Sequence, residues 1–514
     1  MSINTISLPR ANRITTTSSP ARDAAMHRFA VQLALIMALF LLMVPVIGTL
    51  ARIPFLLLFI PLVVWSAFAD TERAIYVLCA WCWMDGTIRG LFGSGAFWIL
   101  ARDAVLLLII IGWGVQRLRT RAKNPLRFPP GTLIVSLFVL NCLLQIANPN
   151  SLGILSSLIG LKMHLTPIPL LFIGYDVFRR REQVRVFFLF LTLATLVIAA
   201  VSVVQYLHGP GWTYAHFPGS KSVISQNITD LATATHNQNL GFKPPGTTTF
   251  GGGVNAFISF AVPMAFALLL LGHKLRFSAR AKLGFVGMLF ALTIALFLNG
   301  VRSTLVSSVA SLLICSVLMG GRQMLRTLGA AGACLVLGLA AWTYSQGLSS
   351  GHVATRFGST FSNPIDALHQ DRQTFFEQVS DLAVQVPMGN GLGKLGAGAG
   401  QIGADPEGDF APAYFSESYL GCMIIETGAL GAVLIAVIAL FFIGRGFLIQ
   451  QQTLDSDGRL LAAALLAILL VIFANFFTTP ILFQPPGSIL FWLCAAMLLR
   501  VFTPKTFTPK AGGN

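Results

Sequence analysis

Apolar segments long enough to cross a membrane recur along almost the whole chain, and this repetition limits the possible folds more than any other feature. They follow one another from about residue 28 to residue 501 without a gap long enough for a soluble domain. An α-helix needs about 17–25 apolar residues to cross the hydrocarbon core of a bilayer. Only 11% of the residues are charged, whereas an ordinary soluble domain has about 25%. The sequence therefore predicts an all-α, polytopic integral membrane protein.

The apolar segments predict about fourteen transmembrane helices and one large extracytoplasmic loop. The helices are expected near 28–50, 53–69, 74–92, 96–114, 130–147, 158–177, 186–207, 250–271, 283–300, 303–319, 327–345, 417–443, 459–478 and 486–501. The predicted order of domains is a disordered basic cytoplasmic N-terminus at 1–27, helices 1–11 over 28–345 with an outer loop at 208–249, a large periplasmic loop at 346–416, helices 12–14 over 417–501, and a cytoplasmic tail at 502–514.

Positive charges are distributed unevenly among the predicted connections. With a cytoplasmic N-terminus, most of the 35 Lys and Arg residues fall on one side, among them those of "QRLRTRAKNPLR", "RRREQVR" and "HKLRFSARAK". An excess of Lys and Arg marks the cytoplasmic side, so we expect a multi-pass protein of the cell inner membrane with both termini in the cytoplasm. The net charge of +16 is then explained by the orientation of the protein in the membrane. No basic cluster carries the stacking aromatics of a nucleic-acid groove, and no nucleic-acid partner is expected.

Motifs for metals and nucleotides are weak. The pair Cys79 and Cys82 forms a CxxC without a second pair or a nearby His, which favours packed thiols over a metal or redox site. The stretch "GNGLGKLGAGAG" at 389–400 formally matches GxGxxG, but neither a preceding strand nor a following helix supports a dinucleotide site. A turn, or a backbone nest around an anionic group, is the better interpretation. We expect no metal and no cofactor.

Cationic side chains on the predicted outer side are the main candidates for function. Arg302, in a very short connection, is either a side chain that snorkels to the interface or a fixed cation that grips phosphate oxygens. Arg372 lies on a predicted amphipathic helix, where its alternative is an exposed charge. Further candidates for binding an anionic substrate are Arg89, Lys162 and Lys243.

Two further features of the sequence bear on the roles of these cationic residues. Arg102 and Asp103 lie together inside a predicted span, where a structural ion pair is the commoner role. Pro167 and Pro169 interrupt the span that carries Lys162, so Lys162 could line a cavity there.

Two carboxylates lie where the chain enters the span after the large loop. The stretch "SESYLGCMIIETGALG" at 416–431 carries Glu417 at the predicted cavity mouth and Glu426 deeper in the span. A carboxylate near the bilayer centre costs about 2.5–3.5 kcal/mol on insertion scales and usually faces protein or water. Glu417 is the candidate general base. Glu426 is expected to form hydrogen bonds within the bundle, where Gly428 and Gly431 allow a neighbouring segment to approach closely.

Taken in order, three segments resemble the O-antigen ligase/polymerase superfamily of envelope proteins. The first is "FKPPGTTTFGGGVNAFISFAVPMAFALLL" at 242–270, and the second is "LNGVRSTLVSSVASLLI" at 298–314. The third is the large loop with its glycine stretch, followed by the Tyr-Leu and Glu-x-Gly-x-x-Gly of 416–431. The likeness covers roughly 240–445. Where ligases of this family have His-Asn-x-Tyr-Leu, this chain has "SESYL" at 416–420.

The resemblance implies a glycosyltransferase that uses a polyprenyl-diphosphate-linked oligosaccharide on the outer face of the inner membrane. It implies Arg302 and Arg372 at the diphosphate and, because the ligase His is replaced, favours polymerisation of repeat units with Glu417 as base. The implied partners are the lipid-linked oligosaccharide, the growing polysaccharide, the lipid bilayer and a chain-length regulator. The alternatives are an O-antigen ligase that transfers glycan to lipid A-core, and a transporter or flippase of lipid-linked glycans.

Overall fold

The computed structural model describes residues 20–92, 96–120, 127–217, 244–248, 253–274, 278–298, 302–319, 379–394, 418–453 and 455–503, with the single positions 329 and 332. All regular secondary structure within these ranges is helical. Seven helices, or runs of helices, in this part of the chain are long and apolar enough to cross a membrane. The chain is therefore a helical membrane protein. Glu417, Arg372 and Lys243, and the predicted span at 327–345 apart from those two single positions, lie outside the described residues.

Fifteen helices have full bounds in the described ranges. They are α1 Pro20–Ile47, α2 Arg52–Ala69, α3 Thr71–Trp83, α4 Asp85–Phe92, α5 Ala96–Thr120, α6 Thr132–Leu144, α7 Ile154–Leu165, α8 Pro169–Val177, α9 Arg181–His216, α10 Val254–Lys274, α11 Ala279–Leu298, α12 Arg302–Met319, α13 Tyr419–Gln452, α14 Ser456–Ala474 and α15 Gly487–Val501. A short helical stretch also covers 379–385.

Ion pairs join several helix ends that are distant in sequence. Asp23 of α1 accepts from Arg180 at 2.6 Å, and Asp455, which caps α14 by accepting from the Gly458 N–H, lies 2.6 Å from Arg181. Arg117 near the end of α5 pairs with Asp176 of α8. We call this face of the bundle the charged end. All of its pairs come from connections that the charge distribution places on one side of the membrane.

The N-terminal segment differs from the prediction. Residues 1–27 were expected to be disordered, but α1 begins at Pro20. Arg22 lies 3.7 Å from Asp70 and from Glu72 at the start of α3. Together with the Asp23–Arg180 contact, these pairs attach the first turns of α1 to the charged end. The helix therefore starts about two turns before the apolar run.

The centre of the bundle is formed by helices that are apolar on every side. Nearly every residue of α3 and α15 is buried, as is most of α14, the pattern expected of a helix surrounded by other helices. α9 and α10 pack beside them. Lipid-length helices such as α2 instead leave one face of large apolar side chains exposed.

Four helices or helix pairs are broken within the bundle or at its edge. α3 passes into α4 at Met84, and α7 passes into α8 through Thr166–Ile168, where Pro169 takes the first position of the new helix. Gly428 breaks α13 with φ of 76°, and Gly209 breaks α9 with φ of 79°. Beyond Gly209, α9 continues to His216, while the apolar run long enough to cross a membrane ends at Gly209, close to the expected start of the outer connection at 208. The breaks at Met84, Thr166–Ile168 and Gly428 lie beside the polar residues described next.

Candidate functional site

Two cations share one carboxylate beside the break between α7 and α8. The Nζ of Lys162 lies 2.8 Å from Oδ2 of Asp103, and Arg102 lies 3.4 Å from the other oxygen of the same carboxylate. About four fifths of each of these side chains is buried. Arg102 is about 22 Å along α5 from Arg117 at the charged end, at 1.5 Å per residue. This ionic group therefore lies toward the opposite end of the bundle.

A small pocket opens onto this group. Its volume is about 20 Å³, enough for roughly one water molecule. Its polar lining is Arg102, Asp103, Lys162, Thr166 and Ser488, and its apolar lining includes Phe483 and Pro485. The prediction that Lys162 lines a cavity at the proline-interrupted part of its span is confirmed.

A second ion pair lies on α4, close to the first group. Arg89 contacts Asp85 at 2.8 Å, and Asp85 also attracts Arg102 electrostatically. Three cations thus face two carboxylates, which leaves an excess of one positive charge. A partly buried site with excess positive charge favours an anionic ligand.

The stretch 244–248 packs against the break between α3 and α4. The carbonyl of Thr247 accepts from the Gly86 N–H at 2.9 Å, and the Thr247 hydroxyl donates to the carbonyl of Trp83 at 2.5 Å. Gln205 of α9 holds Gly246 by two hydrogen bonds of 3.0 and 2.8 Å. The "PPGTT" stretch is therefore a packed part of the bundle, next to the helix that carries Asp85 and Arg89.

His164 and Glu426 form a buried contact on the other face of α7. The His164 Nε2 lies 2.8 Å from the Glu426 Oε2, and the two side chains are 0% and 3% exposed. Phe483 packs edge-on against the His164 ring, with centroids 4.9 Å apart, and also lines the pocket. We call these two residues the buried pair. The expectation that Glu426 forms hydrogen bonds within the bundle is confirmed.

The glycine-rich stretch 386–394, here called the strap, is bonded into the break of α13. In an unbroken helix the N–H of Ala429 would donate to the carbonyl of Ile425. Instead, the Ala429 N–H donates to Pro387 at 3.2 Å, and the Asn390 N–H donates to Ile425 at 2.7 Å. The strap therefore replaces the helical hydrogen bond that the break removes.

Side chains from neighbouring helices complete the attachment of the strap. Gln145 donates to the Met388 carbonyl at 2.8 Å, Asn148 donates to the Gly389 carbonyl at 3.0 Å, and Ser156 of α7 donates to the Gly393 carbonyl at 3.0 Å. Gly389, Gly391 and Gly393 have positive φ values of 77–88°. Gly391 and Gly393 of the nucleotide-like motif therefore lie in a packed loop, and Gly396, its third glycine, lies outside the described residues. Burial lowers the pKa of Lys394.

The structure brings together only part of the predicted set. Arg89 and Lys162 lie in one ionic group with Arg102. Arg302 begins α12, but its side chain lies outside the described residues. No group of three or more His, Cys, Asp or Glu that could hold a metal ion occurs among the residues described. The six cysteines in these ranges are buried.

Sequence reasoning missed three contacts: Asp103 with Lys162, Asp85 with Arg89, and His164 with Glu426. The i,i+4 spacing of Asp85 and Arg89 was available as a signal. The other two contacts join separate helices, and the members of the buried pair are 262 residues apart.

Comparison with known proteins gives no match. No protein-family model, no curated protein and no solved structure is similar to this chain at a significant level.

Proposed function

We propose that the chain is a membrane glycosyltransferase that polymerises polyprenyl-diphosphate-linked oligosaccharide repeat units into an exopolysaccharide or O-antigen. The supporting observation is the excess of positive charge formed by Arg89, Arg102 and Lys162 against Asp85 and Asp103, beside a pocket away from the charged end. A diphosphate carries the complementary charge. Because it is already a good leaving group, the reaction needs neither a nucleotide nor a metal.

The proposed topology follows from the charge distribution. The charged end faces the cytoplasm in this proposal, with both termini, because its connections carry most of the Lys and Arg. The pocket then faces the outer side of the inner membrane. The chain crosses the membrane with about fourteen helices, and the loop at 346–416 lies outside.

In the proposed mechanism, an acceptor hydroxyl attacks the anomeric carbon of the lipid-linked sugar. The bond from that carbon to the diphosphate oxygen breaks, and the diphosphate leaves with the electron pair. Arg302 and Arg372 stabilise its developing charge, with Lys243, Arg89 and Lys162 as further diphosphate-binding groups. Glu417 takes the proton from the acceptor hydroxyl. One such electrostatic donor typically contributes about 10²–10³ in rate.

Variants of Arg302 and Arg372, the two arginines proposed to stabilise the leaving diphosphate, test this assignment in cells. Arg302→Ala and Arg372→Ala are each expected to abolish polymer, while single repeat units accumulate on their lipid carrier and the protein still inserts. The measurements are polymer length on gels, and protein level in isolated membranes. Normal polymer length in both variants would remove the arginines from the mechanism.

For the base, Glu417→Gln is compared with Glu417→Asp. Loss of polymer in the Gln variant with partial activity in the Asp variant supports a carboxylate base. Full activity of the Gln variant places the base elsewhere.

A second candidate function is a transporter or flippase of lipid-linked glycans. Helices broken near the middle of the membrane, with ionisable side chains at the breaks, are a feature of transporters. The breaks at Thr166–Ile168 and Gly428 with the buried pair between them fit that description. Movement of the lipid-linked glycan across a vesicle membrane without bond formation would favour this function. Product attached to lipid A-core would favour the ligase alternative.

A further inference from the structure

The buried pair lies within two membrane-length segments and has an unusual hydrogen-bond arrangement. Both residues belong to apolar runs long enough to cross a membrane, Ile154–Val177 and Tyr419–Gln452. The Nε2 of His164 contacts Glu426, while its Nδ1 is buried and has no partner among the described residues. A buried polar atom without a partner costs free energy. At Nδ1 of His164 that group is a lone pair when a neutral ring carries its proton on Nε2, and an N–H when the ring is an imidazolium or accepts at Nε2.

The 2.8 Å contact is compatible with several protonation states of the pair. A neutral imidazole can donate from Nε2 to a carboxylate, which leaves a net charge of −1. With one more proton, the pair is either an imidazolium with a carboxylate or a neutral imidazole that accepts from a carboxylic acid, and its net charge is zero. None of these states requires the heavy atoms to move. The extra proton would remove a net charge from the membrane-embedded part of the bundle, where charge is costly.

The titratable neighbours of Glu426 include two thiols and a phenol. Cys142 of α6, and Tyr419 and Cys422 of α13, interact electrostatically with Glu426. Thiols and phenols are ordinarily neutral near pH 7. On the other face of α7, Lys162 is already compensated by Asp103, with Arg102 beside it.

The strap links this pair to the surface. The carbonyl of Ile425, one residue before Glu426, accepts from Asn390 of the strap, and Gly428, two residues after it, packs against Gly389. A change in the charge of Glu426 therefore acts on a helix break that is held by the strap's hydrogen bonds. Phe483 provides a second link, because it contacts both His164 and the pocket.

We propose that His164 and Glu426 bind and release one proton inside the helix bundle, and that the strap transmits this change to the end of the bundle that holds the pocket. The proton site does not depend on the glycosyltransferase assignment. In a polymerase, this proton site would position the strap in response to pH. In a flippase, it would couple proton binding to transport.

The test is infrared difference spectroscopy of the full-length protein in lipid nanodiscs between pH 5 and pH 9. As the pH falls, the wild type is expected to gain C=O stretching intensity from a protonated carboxyl group if the proton is on Glu426, or imidazolium ring bands if it is on His164. Glu426→Gln is expected to lose one component of this signal. Glu72→Gln is the matched control, because Glu72 is an equally buried carboxylate, 2% exposed, at the charged end. This control should keep the component that Glu426→Gln loses.

Two further measurements keep the proposal falsifiable if Glu426→Gln folds poorly. His164→Gln retains the carboxylate, and it should alter the pH response of the Glu426 component. Amide hydrogen exchange of 386–394, corrected for its intrinsic pH dependence, should change with the same midpoint as the infrared signal in the wild type and lose that change in His164→Gln. An identical infrared pH response in the wild type, Glu426→Gln and His164→Gln would overturn the proposal.

Discussion

Several charged residues inside the described part of the bundle are paired, and the pairing determines what each substitution does. Lys162 and Arg102 share Asp103, so removal of one cation leaves the carboxylate with the other. Glu72 instead accepts from Gln183 at 2.8 Å, while Arg22 lies 3.7 Å away. The first arrangement tolerates the loss of one partner and retains a cation for a ligand. The second makes a carboxylate sensitive to pH.

Lys162→Met is expected to lower polymerisation by about 10²-fold, the range for one electrostatic donor. Protein level should stay near that of the wild type, because Arg102 still neutralises Asp103. The measurement is the initial rate of polymer formation in isolated membranes. Lys282→Met, on α11 away from the pocket, is the matched control and should keep the wild-type rate. An unchanged rate in Lys162→Met would exclude Lys162 from substrate binding.

Glu72→Gln is expected to stabilise the protein at alkaline pH. Burial raises the pKa of Glu72 to about 7, and its hydrogen bond with Gln183 opposes this increase only partly. The folded state thus holds the proton more tightly than the unfolded state, so the wild type loses stability as the pH rises from about 4.5 to about 7. The shift corresponds to about 3 kcal/mol.

The melting temperature in detergent, measured between pH 5 and pH 8, checks this prediction. The wild type should melt at a lower temperature at pH 8 than at pH 5, and Glu72→Gln should show a smaller difference. The same pH difference in both proteins would contradict the assignment.

At the scale of single elements, the position of a break within a helix affects packing more than the length of the helix does. The strap supplies hydrogen bonds at the break of α13, and three of its glycines have positive φ. A Cβ atom on Gly428 would lie 2.3 Å from the Pro387 carbonyl oxygen, and one on Gly389 would lie 2.6 Å from the Gly428 nitrogen. The strap and α13 can approach this closely only because both positions are glycine.

Gly428→Ala is therefore expected to destabilise the fold strongly. The backbone at Gly428, with φ of 76° and ψ of 178°, lies in a region essentially restricted to glycine and costs another residue about 1–3 kcal/mol, and the clash with backbone atoms adds to it. Gly444→Ala is the matched control in the same helix, where a Cβ would meet nothing within 4 Å. Melting temperatures of the two variants in detergent give the comparison. Equal values would show that the strap does not hold the break.

Helix positions were largely predictable from the sequence, and the breaks and polar contacts were only partly so. Apolar runs fix where helices lie because the bilayer requires internal hydrogen bonding of the backbone. Pro167 and Pro169 predicted the break after α7, because proline has no backbone N–H to donate a helical hydrogen bond. Glycine is common in membrane helices, so Gly428 was expected to allow close packing but not to break α13. The buried pair required knowledge of which helices touch.

For the whole molecule, the pairs of the charged end fix which connections lie together. Asp23, Arg181 and Asp455 come from three connections that are distant in sequence and meet at one face. This arrangement was predicted from the distribution of positive charge. The assignment of that face to the cytoplasm is the part that needs a measurement.

Cysteine labelling tests this orientation. Ser456→Cys, at the charged end, should react with a membrane-impermeant maleimide only after the cells are opened. Asn150→Cys, between α6 and α7, should react in intact cells. Native thiols give a low background, because the six in the described ranges are buried, and the wild type serves as the blank. The reverse pattern would invert the topology and place the pocket in the cytoplasm.

The most direct test of the proposed function is reconstitution of the purified protein in liposomes with a polyprenyl-diphosphate-linked oligosaccharide as the only substrate. We expect products that contain several repeat units, released polyprenyl diphosphate in matching amount, and loss of both in Lys162→Met. Movement of the intact substrate between leaflets with no new glycosidic bond would contradict the enzyme assignment and favour the transporter.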